Sequence, residues 1–154
     1  MATDSVVVTE RIAAPREAVF EFFVDPEKMI RWIGTEARLT PTPSGEFWVN
    51  VTGDDIAIGT YVELDPPGSV VFTWGWEGSS DLPPGSSTVS ITLTSDGDET
   101  LVELVHSGLA GGSEDEHASG WRHYVARLVA INSGRDPGPN RPHSQPINES
   151  DDIT

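Results

Sequence analysis

The stretch Val70-Val71-Phe72-Thr73-Trp74-Gly75-Trp76 constrains this chain more than any other. A strand sends successive side chains to opposite faces. Val70, Phe72, Trp74 and Trp76 therefore share one face, and mostly small residues take the other. Two indoles on one strand face require either a thick core to fill or a cavity to line. The choice between packed core and pocket is the functional question for the whole chain, and the pattern alone leaves it open.

The rest of the sequence supplies the partners for that strand. Val6 to Ile12 reads as a first strand with Val6, Val8 and Ile12 on one side. Pro15 opens a helix carrying Val19, Phe20, Phe22 and Phe23. Asp25-Pro26 is an N-cap and first-turn pair that restarts a second short helix, with Met29, Ile30 and Trp32, ending at Gly34. Strands are expected at Glu36–Thr40, Glu46–Val51, Ile56–Leu64, Val70–Trp76, Thr88–Thr94 and Leu101–Ser107, separated by Gly-, Pro- and Asp-rich turns. Short turns between consecutive strands imply an antiparallel meander. Gly78 to Gly85 is a longer loop, placed to lie beside a pocket mouth.

Ser113-Glu114-Asp115-Glu116 has the form of a capping box. The helix it opens runs to about Asn132, with His117, Trp121, Tyr124, Leu128 and Ile131 on one stripe, widened by Val125 and Val129. Gly134 suits its stop. The expected organisation is one α+β domain over residues 1–132, a curved antiparallel sheet of about seven strands around a long C-terminal helix. A proline-rich tail over residues 133–154 has no periodicity and is expected to be disordered.

Composition narrows the chemistry. The 154 residues carry 25 acids against 9 bases, a formal charge of −16. Such a surface repels phosphate backbones and anionic membranes, so neither nucleic acid nor membrane insertion is expected. The acidity has a plain reading in solubility and another in a saline environment. No apolar run reaches the length of a bilayer span, and the first twelve residues lack a leader's apolar region. The expected location is the cytoplasm. Cysteine is absent, which excludes disulfides, thiol nucleophiles and cysteine metal sites.

The motifs Ala14-Pro15-Arg16-Glu17-Ala18-Val19-Phe20, Asp25 through Trp32, Val71-Phe72-Thr73-Trp74, His106-Ser107-Gly108-Leu109 and Gly120-Trp121 occur in the order found in one superfamily. Across about residues 5 to 132 the chain resembles the SRPBCC (START-like, birch-pollen-allergen-like) proteins. The resemblance is to the branch similar to the C-terminal domain of the activator of the heat-shock-protein ATPase. It implies a helix-grip fold with a cavity between sheet and long helix, in which members hold lipids, sterols, polyketides or other apolar molecules. Some members catalyse cyclisation or hydrolysis.

The residues expected to contact a ligand are Trp32, Tyr61, Phe72, Trp74, Trp76, His106, Trp121, Tyr124 and Leu128. No catalytic residue is assigned. The candidates are His106, in phase with Val102 and Leu104 and either a base or a buried structural histidine, and Glu63, an acid if its strand turns it inward. Glu103 shares that ambiguity. His117 and His123 lie six apart and do not share a helix face, so no metal is expected, nor any cofactor.

Three readings follow. The chain binds a small apolar or amphipathic molecule in an internal cavity; it is an aromatase/cyclase-type enzyme using that cavity; or it is a co-chaperone-like module working through its outer surface, with a role in stress response. Binding without catalysis is the first expectation. A chaperone partner belongs to the third reading alone. An outward Trp48 would suit a homodimer interface.

Overall fold

The computed structural model describes residues 5–80, 82–109, 114–135 and 137. Strand β1 (Val6–Ile12) leads into helix α1 (Arg16–Phe20), a 3-10 turn (Glu21–Phe23) and helix α2 (Pro26–Trp32). Six strands follow: β2 (Glu36–Leu39), β3 (Glu46–Asn50), β4 (Ile56–Asp65), β5 (Ser69–Trp74), β6 (Ser87–Asp96) and β7 (Glu99–Ser107). Helix α3 (Glu114–Asn132) closes the fold. The seven strands form one antiparallel sheet in the order β1-β7-β6-β5-β4-β3-β2. The first strand thus pairs with the last, and the two short helices carry the chain from one sheet edge to the other. The expected α+β helix-grip architecture is what the chain adopts.

Alternation places the core. Val70, Phe72 and Trp74 of β5, Val89, Ile91 and Leu93 of β6, and Val102, Leu104 and His106 of β7 are all buried on one face. Trp121, Tyr124, Val125 and Leu128 of α3 are buried with them in a continuous apolar cluster, and α3 packs over β1 and α2. Asp25 caps α2 as expected, accepting from the Glu27 N–H at 2.9 Å, with Pro26 in the first turn.

Strand β5 stops two residues short of the expected end. The cause is backbone crowding at Gly75, where any Cβ would sit 1.8 Å from the Pro83 carbonyl oxygen. The chain there runs between the edge of β4 and the following loop. Ile58 N–H bonds to Gly75 O and Glu77 N–H to Ile56 O on one side, and Trp76 N–H to Leu82 O on the other, at 2.8–2.9 Å. Trp76 keeps its place through a single bridge to Ala57. The loop around Leu82 is therefore tied down, and Leu82 itself is buried.

One side chain anchors the second helix in a way periodicity conceals. Arg127 of α3 is buried, and it donates through Nε to Trp32 O (3.0 Å) and through a terminal nitrogen to Arg31 O (2.9 Å). These are carbonyls of the last turn of α2, which have no partner within their own helix. The guanidinium also lies at the negative end of that helix. The capping box at Ser113 and nearly all of the 133–154 tail lie outside the described residues.

Replacing Arg127 with Met keeps the packing of the stem and strands both carbonyls. A loss of about 1–3 kcal/mol is expected, read as a lower urea midpoint with an unchanged slope.

Candidate functional site

Where the end of β5 faces the first half of α3, the layers part. The gap is a cleft of about 910 Å³, open to solvent on one side rather than enclosed. Its apolar wall comes from Trp74 and Trp76, from Trp121 and Tyr124 of α3, and from Ile33 and Val51. The Trp74 ring is the hub: its centroid lies 5.0 Å from that of Trp121 and 5.3 Å from that of Trp76. Its side chain is almost wholly buried at 2 % exposure, and its indole N–H has no hydrogen-bond partner among the described residues.

The other wall is polar. The β3–β4 turn brings Thr52, Asp54 and Asp55 to the rim. Its shape is set locally: Thr52 Oγ1 accepts from Asp54 and Asp55 N–H and donates to the Asp55 carboxylate, while Asn50 Oδ1 accepts from Gly53 N–H. Glu77, Gly78 and Ser79 come from the segment after Trp76, and Glu116, His117 and Ser119 from α3. Trp76 Nε1 donates to His117 Nε2 at 3.1 Å and ties the two walls together.

Of the nine residues expected to contact a ligand, Trp74, Trp76, Trp121 and Tyr124 line this cleft. The other five lie in the packed interior. Trp32 donates its N–H to Phe22 O (3.0 Å) and Tyr61 its hydroxyl to Phe23 O (2.8 Å). Trp32 thereby ties the 3-10 turn to α2, and Tyr61 ties it to β4. Burial pushes the Tyr61 hydroxyl well above the ordinary phenol range. Phe72 is stacked on Phe47, centroids 4.1 Å apart, and Leu128 is fully buried.

His106 is also sealed off, and its hydrogen bonds define its state. Trp121 Nε1 donates to His106 Nδ1 at 2.9 Å. An indole nitrogen can only donate, so Nδ1 is the acceptor and the ring proton sits on Nε2. Ser87 Oγ, 2.8 Å from Nε2, donates its own proton to Trp74 O at 2.7 Å and so accepts from the ring. Both ring nitrogens are engaged and no lone pair is left for substrate. Burial first, and the neighbouring His117 second, lower the His106 pKa from 6.5 to about 3. Glu63 and Glu103 are exposed on the outer face of the sheet, away from the cleft. Neither catalytic candidate reaches the place where a ligand would sit.

His117 is among the wall residues the ligand expectation omitted, as are Ile33 and Val51. For His117 the signal was present, since it shares a helical stripe with Trp121 and Tyr124. The rim carboxylates gave no such signal, because Asp54, Asp55 and Glu77 come from turns and Glu116 from the start of α3, segments that only the fold brings together. No cluster of three or more metal-ligating side chains occurs among the described residues, and no described helix is long and apolar enough to cross a membrane.

Residues 13–132 match the family described as activator of Hsp90 ATPase homolog 1-like protein. The chain belongs to this family. An AHSA1-like protein from Rhizobium etli, solved by NMR, is 44 % identical over 94 % of this chain and 92 % of its own, with a TM-score of 0.68. DynU16, from the dynemicin biosynthetic locus, superposes with a TM-score of 0.77 at 22 % identity. The match covers 90 % of this chain but 51 % of DynU16, so the chain spans about half that protein's length. An HSP90 activator from Plasmodium falciparum gives a TM-score of 0.70 at 22 % identity, covering 86 % of this chain and 97 % of its own. The last two likenesses establish the fold alone. No curated protein matches this member of the family.

The histidine network has a pH signature. The unfolded chain takes up the His106 proton near 6.5 and the folded chain only near 3, so the group's full contribution is present above pH 6.5. It falls as pH drops through that window, by at most about 1.4 kcal/mol per pH unit. The slope of unfolding free energy against pH between those values should be shallower in His106→Gln than in the native chain. Nitrogen NMR at neutral pH should show a protonated Nε2 and a bare Nδ1; the reverse would refute the assignment.

Proposed function

We propose that the chain binds a small apolar or amphipathic molecule in the cleft between β5 and α3. The observation that carries this reading is the aromatic wall: four rings, from Trp74, Trp76, Trp121 and Tyr124, border a space that no side chain of the described residues fills. Its volume falls in the usual range of small-molecule sites, roughly 300–1,000 Å³.

The binding reading is favoured over catalysis by the histidine network. A base needs an available lone pair within reach of a substrate proton, and both nitrogens of His106 are occupied inside the core. ATPase activation, the activity in the family's name, would use the outer surface and leave the cleft unexplained. Action in the cytoplasm completes the proposal.

The test is titration with phenylnaphthylamine, an uncharged reporter whose emission rises in apolar surroundings and which accepts energy from tryptophan. Saturable binding of one molecule per chain is expected. Trp76→Ala, which removes half-buried wall, should weaken it about tenfold through lost contact area, while Glu63→Gln should leave it unchanged. No saturable signal, or equal affinity in Trp76→Ala, would overturn the proposal.

A further inference from the structure

The two walls of the cleft differ in kind, and the difference selects a ligand class. The floor is aromatic. The rim carries four carboxylates, Asp54, Asp55, Glu77 and Glu116, and none of the lining residues is a lysine or arginine. The rim's imidazole, His117, accepts the Trp76 N–H through Nε2, an arrangement available only to the neutral ring. No lining side chain opposes an incoming positive charge. The net charge of −16 adds a field of the same sign, and a cleft with low-dielectric walls concentrates such a field.

We infer that the cleft takes an organic cation, an amine or ammonium group carried on an apolar or aromatic body. This rests on the reading of the cleft as a ligand site and names the class that fits it. The apolar body lies against Trp74, Trp76, Trp121 and Tyr124, where indole faces attract a cation as well as apolar surface. The ammonium stays at the rim, within the field of the carboxylates.

Three compounds with one apolar body and different heads provide the test: phenylbutylamine, phenylbutanol and phenylbutyrate, followed by tryptophan fluorescence at low and high salt. The amine should bind at least tenfold more tightly than the alcohol, and the carboxylate most weakly. Raising the salt should narrow the gap, as screening requires. The combined variant Asp54→Asn, Glu77→Gln, Glu116→Gln should cut amine affinity about tenfold and leave the alcohol's unchanged. Asp55 is spared because Thr52 uses its carboxylate to shape the turn. Equal affinity for amine and alcohol would overturn the inference while leaving apolar binding intact. So would an amine preference that survives in the variant, which would assign it to overall charge. Failure of all three compounds to bind would overturn both the inference and the reading beneath it.

Discussion

The hydrogen bond from Trp121 to His106 is the interaction on which the rest of the site depends. It joins α3 to β7, and Ser87 extends it through β6 to the backbone of β5 at Trp74. Apolar contact alone would allow α3 to slide along the sheet, because the hydrophobic effect has no direction. A buried donor with one acceptor in reach permits one position. That position puts the Trp121 ring 5.0 Å from Trp74 and holds open the space beyond them. The neutral state of His106 is part of the device, since a proton on Nδ1 would set two donors against each other.

Inward-facing aromatics divide into two populations according to where their polar atoms go. Trp32 and Tyr61 give theirs to the carbonyls of Phe22 and Phe23 and so serve the fold. Trp76 gives its N–H to His117 across the cleft, and that of Trp74 finds no partner among the described residues. Strand alternation marks Tyr61, Trp74 and Trp76 as inward, and helical spacing marks Trp32, but neither goes further. Whether an inward ring meets a neighbour or a void depends on the distance between elements far apart in the chain. Trp32, Tyr61, Phe72, His106 and Leu128 were therefore expected at the ligand and lie in the core instead.

What was legible is what local chemistry determines: the strands, the Asp25-Pro26 start of α2, the α3 stripe, and through five ordered motifs the family itself. What stayed hidden is non-local. Arg127 interrupts the apolar stripe as a charge and would ordinarily face water; its burial makes sense only once the end of α2 lies beside it. Asp54, Asp55 and Glu77 sit in turns that look like solubilising connectors until the β3–β4 turn and the start of α3, with Glu116, meet across the cleft. Glu63 faces outward for a simpler reason: the irregular pairing between Tyr61 and Glu63 shifts it out of phase with inward Tyr61 and sets it opposite Val71.

The two walls also differ in what they can contribute. The floor is set by packed rings and a buried network, so ordering it on binding costs little, and preorganisation of that kind favours affinity. Exposed rim carboxylates gain little from any single ion pair, on the order of 1 kcal/mol or less, and salt weakens even that. Apolar contact must therefore supply most of the binding free energy, and half-buried Trp76 offers more of it than the almost wholly covered Trp74 and Trp121. The rim acts on discrimination: an anionic head would enter against four like charges, while a cationic head meets no opposing base. A guest chosen this way is recognised coarsely by the sign of its head and closely by the shape of its body. Such selectivity suits a site whose floor is fixed by the core and whose rim is carried by turns and an exposed helix face.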